Sequence, residues 1–156
     1  SIPYIAVATN MQNDQEVVFS RGSLHDAIRA SISSPFLFIP FKRDGMILVD
    51  GGISNPLPLS RIKRQEGDLL VAVVACTPKK DVNVFRCNKF ALLMEAMISI
   101  IQRMVQISIT QYKPDVVIQI PTRKYNMFNL KNSRELIKEG ALATRNSMAS
   151  CERNGN

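Results

Sequence analysis

Asp50 ends a short apolar run and is followed at once by Gly51 and Gly52, within the stretch GMILVDGGISNPLP at residues 45–58. A carboxylate can act as a general base, taking a proton from a hydroxyl or a water as that oxygen attacks an electrophilic carbon. The carboxyl end of a buried strand is also where α/β proteins place their chemistry. Two glycines permit positive φ and a close backbone approach, so a tight turn could hold the carboxylate partly out of water, where it is a stronger base. The same residues also allow a purely structural use, in which an aspartate before Gly-Gly caps a turn by accepting backbone N–H groups. The motif alone leaves both uses open.

Ser54 lies in GISNP at residues 52–56, after a strand and before a predicted helix, as a nucleophile elbow would. Pro56 stands where such an elbow needs its second glycine, so Ser54 reads as a turn residue, and Asn55 and Pro56 are expected to fix the loop's exit by backbone geometry. His25, the single histidine, falls in the first turn of a predicted helix and reads as a surface or supporting side chain, not as a triad base. Cys76, Cys87 and Cys151 cannot pair completely and lack metal-ligand spacing, and His25 is the single histidine, so a zinc site is not expected. An odd cysteine count suits a reducing compartment.

The elements that must position these residues are legible as alternating strands and helices. Residues 4–9 and 16–20 read as a hairpin around the polar turn NMQND, and Ser23 as the N-cap of a helix with Asp26 in capping-box position. That helix would use Leu24, Ala27, Ile28 and Ser31 as one face and stop at Ser34-Pro35. FLFIPF at 36–41 reads as an apolar loop or short extended piece, because Pro40 argues against a central strand. A strand is expected at 46–49, and a short helix opened by Pro56 and Pro58 and ending near Gln65. The run 68–76 is nearly all apolar, as a strand covered on both faces would be. A long helix at 89–113, a strand at 115–120 and an amphipathic helix at 132–153 complete the chain. The long helix carries Glu95, Gln102, Arg103 and Gln106, so it is expected in a core and not facing lipid. This order implies an α/β architecture.

The chain has 156 residues, 46% of them hydrophobic and 21% charged, with a formal net charge of +7. Basic clusters at Arg61-Lys63-Arg64, Lys79-Lys80 and Arg123-Lys124 could meet phosphate groups, or could be solvated loops. Ser1-Ile2-Pro3 has neither the basic region nor the apolar core of a signal peptide, and no initiator methionine opens the chain, which therefore reads as a portion of something longer.

Taken in order, Ala8-Thr9-Asn10, Asp26-Ala27-Ile28-Arg29-Ala30-Ser31, Asp44-Gly45, Val49-Asp50-Gly51-Gly52 and Asn55-Pro56 resemble the second half of the patatin-like phospholipase family. The resemblance is clear for residues 4 to 76 and thin from 80 onward. It implies a three-layer patatin-like α/β fold around a mostly parallel sheet with its N-terminal part missing, residues 1–156 forming the C-terminal portion of a single domain. It also implies that Asp50 is half of a Ser–Asp dyad that hydrolyses acyl esters of lipids, as a phospholipase A or lysophospholipase does, with no metal or organic cofactor. The family's other two motifs are a G-x-S-x-G elbow and a Gly-rich oxyanion loop. Neither occurs among glycines at 22, 45, 51, 52, 67, 140 and 155. By that resemblance both would precede Ser1 in the same polypeptide, and the chain alone would be inactive.

The implied partners are a lipid ester substrate, an anionic membrane touched peripherally, and the missing N-terminal segment. The implied location is cytoplasmic or peripheral to a membrane. A rival reading is a non-catalytic lipid- or membrane-binding α/β module using the basic clusters and the FLFIPF loop. A nucleic-acid binder is disfavoured, because the basic stretches lack aromatic interleaving.

Overall fold

In two of the antiparallel pairs of the first unit, short turns decide strand direction. β1 (Ala6–Asn10) is followed by a tight turn with Asp14 at φ 58°, then by β2 (Gln15–Phe19). β3 (Phe41–Arg43) and β4 (Met46–Asp50) are joined by Asp44 and Gly45 alone, at φ 48° and 75°. A connection that short can only bring the chain back antiparallel. The result is a four-stranded sheet in the order β2-β1-β4-β3 with every pairing antiparallel. The computed structural model describes residues 2–35, 37–75, 89–120, 122 and 132–154. The readings of Phe36, Cys76, Cys87, Lys79-Lys80 and Arg123-Lys124 lie outside these residues.

All five residues of β1 are buried. Helix α1 (Leu24–Ser31) packs on β1 and β4. Ser23 is its N-cap, accepting the Asp26 N–H at 3.3 Å, as expected. The Asp26 carboxylate does not return the bond, reaching Arg43 at 3.6 Å instead. The buried helix positions are Ala27 and Ala30, whereas Leu24 and Ile28 are exposed. Two methyl side chains let the helix lie close to the sheet, which the larger Leu and Ile would prevent. The core joins Ala8, Ala30 and Leu48, with Val17, Phe19, Phe41 and Met46 packed around them.

The chain divides into two compact units, Ser1–Arg61 and Ile62–Asn156. In the second, β5 (Val71–Val74) and β6 (Val116–Gln119) pair in parallel, with α2 (Lys89–Tyr112) between them in sequence and α3 (Ser133–Asn154) packed against β6. A crossover of this length is what a parallel pair requires.

The α/β class therefore stands. Among the described residues the parallel pairing is that of β5 with β6, while the four-stranded sheet is antiparallel, β1 and β4 included, although α1 lies between those two in sequence. The apolar run 68–76 is not covered on both faces, since Ala72 and Val74 are buried while Val71 and Val73 are exposed. β3 adds an edge strand that begins at Phe41, the last residue of the piece read as an apolar loop or short extended segment, and its signal was Asp44-Gly45, the dipeptide that two-residue hairpins favour. The helix expected over 56–65 shrinks to a single 3₁₀ turn at Leu59–Arg61. Pro56 and Pro58 both lack the N–H that a longer helix would use.

Helix α2 also departs from expectation. Val105 is its buried residue, while Leu92, Leu93, Ile100 and Ile107 are exposed. By length and composition it could cross a membrane, with a mean hydropathy of 1.4 in its most apolar window. Its few polar residues do not outweigh the Met, Ile and Leu around them.

The Asp44-Gly45 turn is testable. A Cβ at Gly45 would meet nothing within 4 Å, so only its positive φ opposes substitution. Gly45→Ala should cost about 1 kcal/mol, and Gly45→Asn less, as read from thermal unfolding.

Candidate active site

Asp50 is held at both its backbone and its carboxylate. Its N–H donates to the Ser33 carbonyl at 3.0 Å, and its own carbonyl accepts the Thr9 hydroxyl at 3.1 Å. Oδ1 accepts the Gly52 N–H at 2.8 Å, which opens a 3₁₀ turn over Gly51–Ile53. The capping use of the aspartate is thus realised through one carboxylate oxygen. Among the described residues, no donor is recorded for the other.

The two glycines act through space and not through positive φ, which occurs at Gly22, Gly45 and Gly67. Gly51 is buried against β1, where an added Cβ would lie 2.2 Å from the Val7 carbonyl oxygen and 2.6 Å from its carbon. At Gly52 a Cβ would lie 3.2 Å from Asp50 Oδ1.

Thr9 is buried, and its only hydroxyl proton goes to the Asp50 carbonyl. The Ser54 hydroxyl, 2.8 Å from Thr9 Oγ1, is therefore the donor in that pair. Ser54 spends its proton holding the loop, which is a turn role. Asn55 donates its backbone N–H to the Gly51 carbonyl at 2.8 Å, closing the turn. Its side chain adds a contact that backbone reasoning missed: Nδ2 donates to Glu16 Oε1 at 3.2 Å. Arg61 binds the same carboxylate through Nε at 3.1 Å and a terminal nitrogen at 2.6 Å. Arg61 lowers the Glu16 pKa by hydrogen bonding, burial opposes it, and Asn55 and the Arg61 charge lower it further.

A second brace comes from α1. Ser33 is fully buried and donates to the Arg29 carbonyl at 2.6 Å, while the Arg29 guanidinium donates to Ser33 Oγ and to the Ile39 carbonyl at 2.9 Å. The chain is thereby fixed where Ser33 receives the Asp50 N–H. A cavity of about 240 Å³ opens beside Asp50, lined by Tyr4, Ile5, Val7, Ser31, Asn55 and Pro56 among others.

The remaining candidates fall elsewhere. His25 is 85% exposed and beside Asp26, a surface residue. In the first basic cluster, Arg61 is paired with Glu16 and Arg64 with Asp115 at 2.7 Å, leaving Lys63 exposed. Among the described residues, no group of three His, Cys, Asp or Glu side chains could hold a metal ion.

The family profile described as patatin-like phospholipase matches residues 4–61. Residues 4–61 are thus similar to that family. The patatin-like segment contains Asp50 and every support named above, from Thr9 to Arg61. An uncharacterized NTE family protein of Mycobacterium bovis is 49% identical over 72 residues, covering 46% of this chain and 20% of that protein. One from Mycobacterium tuberculosis gives the same figures, 49% over 72 residues. A second uncharacterized NTE family protein of Mycobacterium tuberculosis is 40% identical over 55 residues, covering 35% of this chain and 9% of that protein. The chain thus spans 20% of the length of the first of these relatives.

Thr9 was noted only within a motif and Arg61 only within a basic cluster, and Glu16 and Ser33 were not singled out from sequence. Arg29 and Ser33 had a usable signal in their i, i+4 spacing, and Thr9 in being a polar residue inside an apolar strand. Glu16 and Arg61 had none, since 45 residues separate them.

Two outcomes follow from this geometry. Gly51→Ala should cost at least about 2 kcal/mol in urea unfolding, because a β-strand carbonyl cannot retreat as a flexible side chain would. The Glu16–Arg61 pair should also show in acid. Because the native pKa is lowered, its stabilisation is complete above 4.5 and is lost as pH falls through the lower native value. Thermal midpoints followed downward from about pH 6 should drop in that window, and Glu16→Gln should flatten the drop.

Proposed function

We propose that Asp50 is the general base of a Ser–Asp dyad in a lipid acyl hydrolase of the phospholipase A or lysophospholipase type. This chain supplies the aspartate, and a G-x-S-x-G segment of the same polypeptide supplies the serine. One observation carries the reading: Asp50 Oδ1 is tethered by the Gly52 N–H, while Oδ2 has no recorded donor among the described residues and the residue borders a cavity. A base needs one oxygen fixed for aim and one lone pair available for a proton.

In the proposed reaction, the serine hydroxyl gives its proton to Oδ2 as Oγ bonds to the ester carbonyl carbon. The tetrahedral intermediate collapses by breaking the bond to the alcohol oxygen, which recovers the proton from Asp50 and leaves. Water then repeats the sequence on the acyl-serine, again giving its proton to Asp50, and the free acid is released. Lipid is the substrate class that the family's description points to.

A second reading, a non-catalytic lipid- or membrane-binding module, draws on Phe38 and Ile39, which are 51% and 79% exposed. One substitution separates the two. In the polypeptide that carries both the serine and this chain, Asp50→Asn keeps the size of the side chain and an oxygen for the Gly52 N–H, but cannot take the proton. The expected result is an unchanged thermal midpoint with kcat on a lipid ester reduced at least about 10²-fold. A folded variant that keeps more than about a tenth of wild-type kcat would overturn the assignment.

A further inference from the structure

The β1–β2 ladder places Thr9 directly opposite Glu16. Paired residues on antiparallel strands present their side chains to the same face. Alternation puts that face opposite Ala8, which packs with Ala30 of α1. From this single rung both ends of the connection between Asp50 and Arg61 are held. Thr9 takes the near end, through the Asp50 carbonyl and the Ser54 hydroxyl. Glu16 takes the far end, through Asn55 and Arg61.

Glu16 has the chemistry for this task. Its side chain is 16% exposed. Both oxygens are engaged: Oε1 receives Asn55 and Arg61 together, and Oε2 receives Arg61. A carboxylate gripped at two points by a guanidinium has a fixed plane. It therefore presents Oε1 to Asn55 in one orientation. Asn55 in turn donates its backbone N–H to Gly51, the residue adjoining Asp50. The path from Glu16 to the Asp50 turn thus contains one side chain and one backbone hydrogen bond.

We propose that Glu16 is a positioning residue for Asp50: with Arg61 it clamps Asn55 and thereby sets the direction of the Asp50 carboxylate. The proposal rests on the general-base reading of Asp50, and its test separates the two. In the serine-containing polypeptide, Glu16→Ala, Glu16→Gln and Asp50→Asn are compared for kcat and KM on a lipid ester. Backbone amide exchange at Gly52 and Asn55 is measured alongside. Glu16→Ala should lower kcat about tenfold per folded molecule with KM nearly unchanged, since misaim affects the reacting geometry more than binding. Exchange at Gly52 and Asn55 should quicken while the amides of β1 stay protected.

Glu16→Gln, which can still accept from Asn55 and tolerates loss of the charge, should recover kcat to within about threefold of wild type. It also serves if Glu16→Ala does not fold. Unchanged kcat in both Glu16 variants, beside an inactive Asp50→Asn, would overturn the positioning role. An active Asp50→Asn would instead remove the general-base reading. Exchange then decides the clamp alone: faster exchange at Gly52 and Asn55 supports it, and wild-type exchange overturns it.

Discussion

The contact between Gly51 and the Val7 carbonyl governs the Asp50 end of the sheet. With no Cβ at 51, the chain leaving β4 stays against β1 and does not swing away from it. Only then can the 3₁₀ turn over 51–53 form, bringing the Gly52 N–H to the carboxylate and the Ser54 hydroxyl to Thr9. A methyl group there would push the loop off the strand and break both hydrogen bonds at once.

Around that contact the fold uses polar groups as fasteners where apolar packing is thin. The residues of the core cluster of the first unit are small or few: Ala8, Ala30 and Leu48. Thr9 and Ser33 are both buried and both bonded to loop or helix backbone. A buried hydroxyl left unpaired costs about 1–3 kcal/mol, so each specifies one loop conformation strongly even though its net contribution to stability is modest. Arg29 and Arg61 serve the same end with charge, one at the end of α1 and one at the end of the Asp50 loop. The basic excess is thus partly internal, since two guanidiniums of the 61–64 cluster face carboxylates.

Strand direction shows how connection length outweighs composition. The β1–β2 and β3–β4 pairs are joined by short turns and run antiparallel, whereas β5 and β6 are separated by α2 and run parallel. Both arrangements use the same kinds of β-branched residue. The exposed apolar surface of α2 reflects the same principle for helices, because a periodic sequence specifies that a helix forms but not what lies against it.

By itself the sequence determined most of the elements, the Ser23 cap, the strand ending at Asp50 and the order of the patatin-like motifs. These are local properties: spacing, caps, prolines and glycines act within a few residues, and the side chains that express them are neighbours along the chain. The hairpin at Asp44-Gly45 was equally local, and its dipeptide signal was present. What only the tertiary structure decided is non-local. Gly51 proved necessary because Val7 passes behind it, and not because its φ is positive. Ala27 and Ala30, not Leu24 and Ile28, face the sheet because the sheet comes that close. Asn55 acts through Glu16, a residue 39 positions away. Such contacts depend on which strands become adjacent, and adjacency is settled by the packing of the whole sheet and not by any one stretch of it.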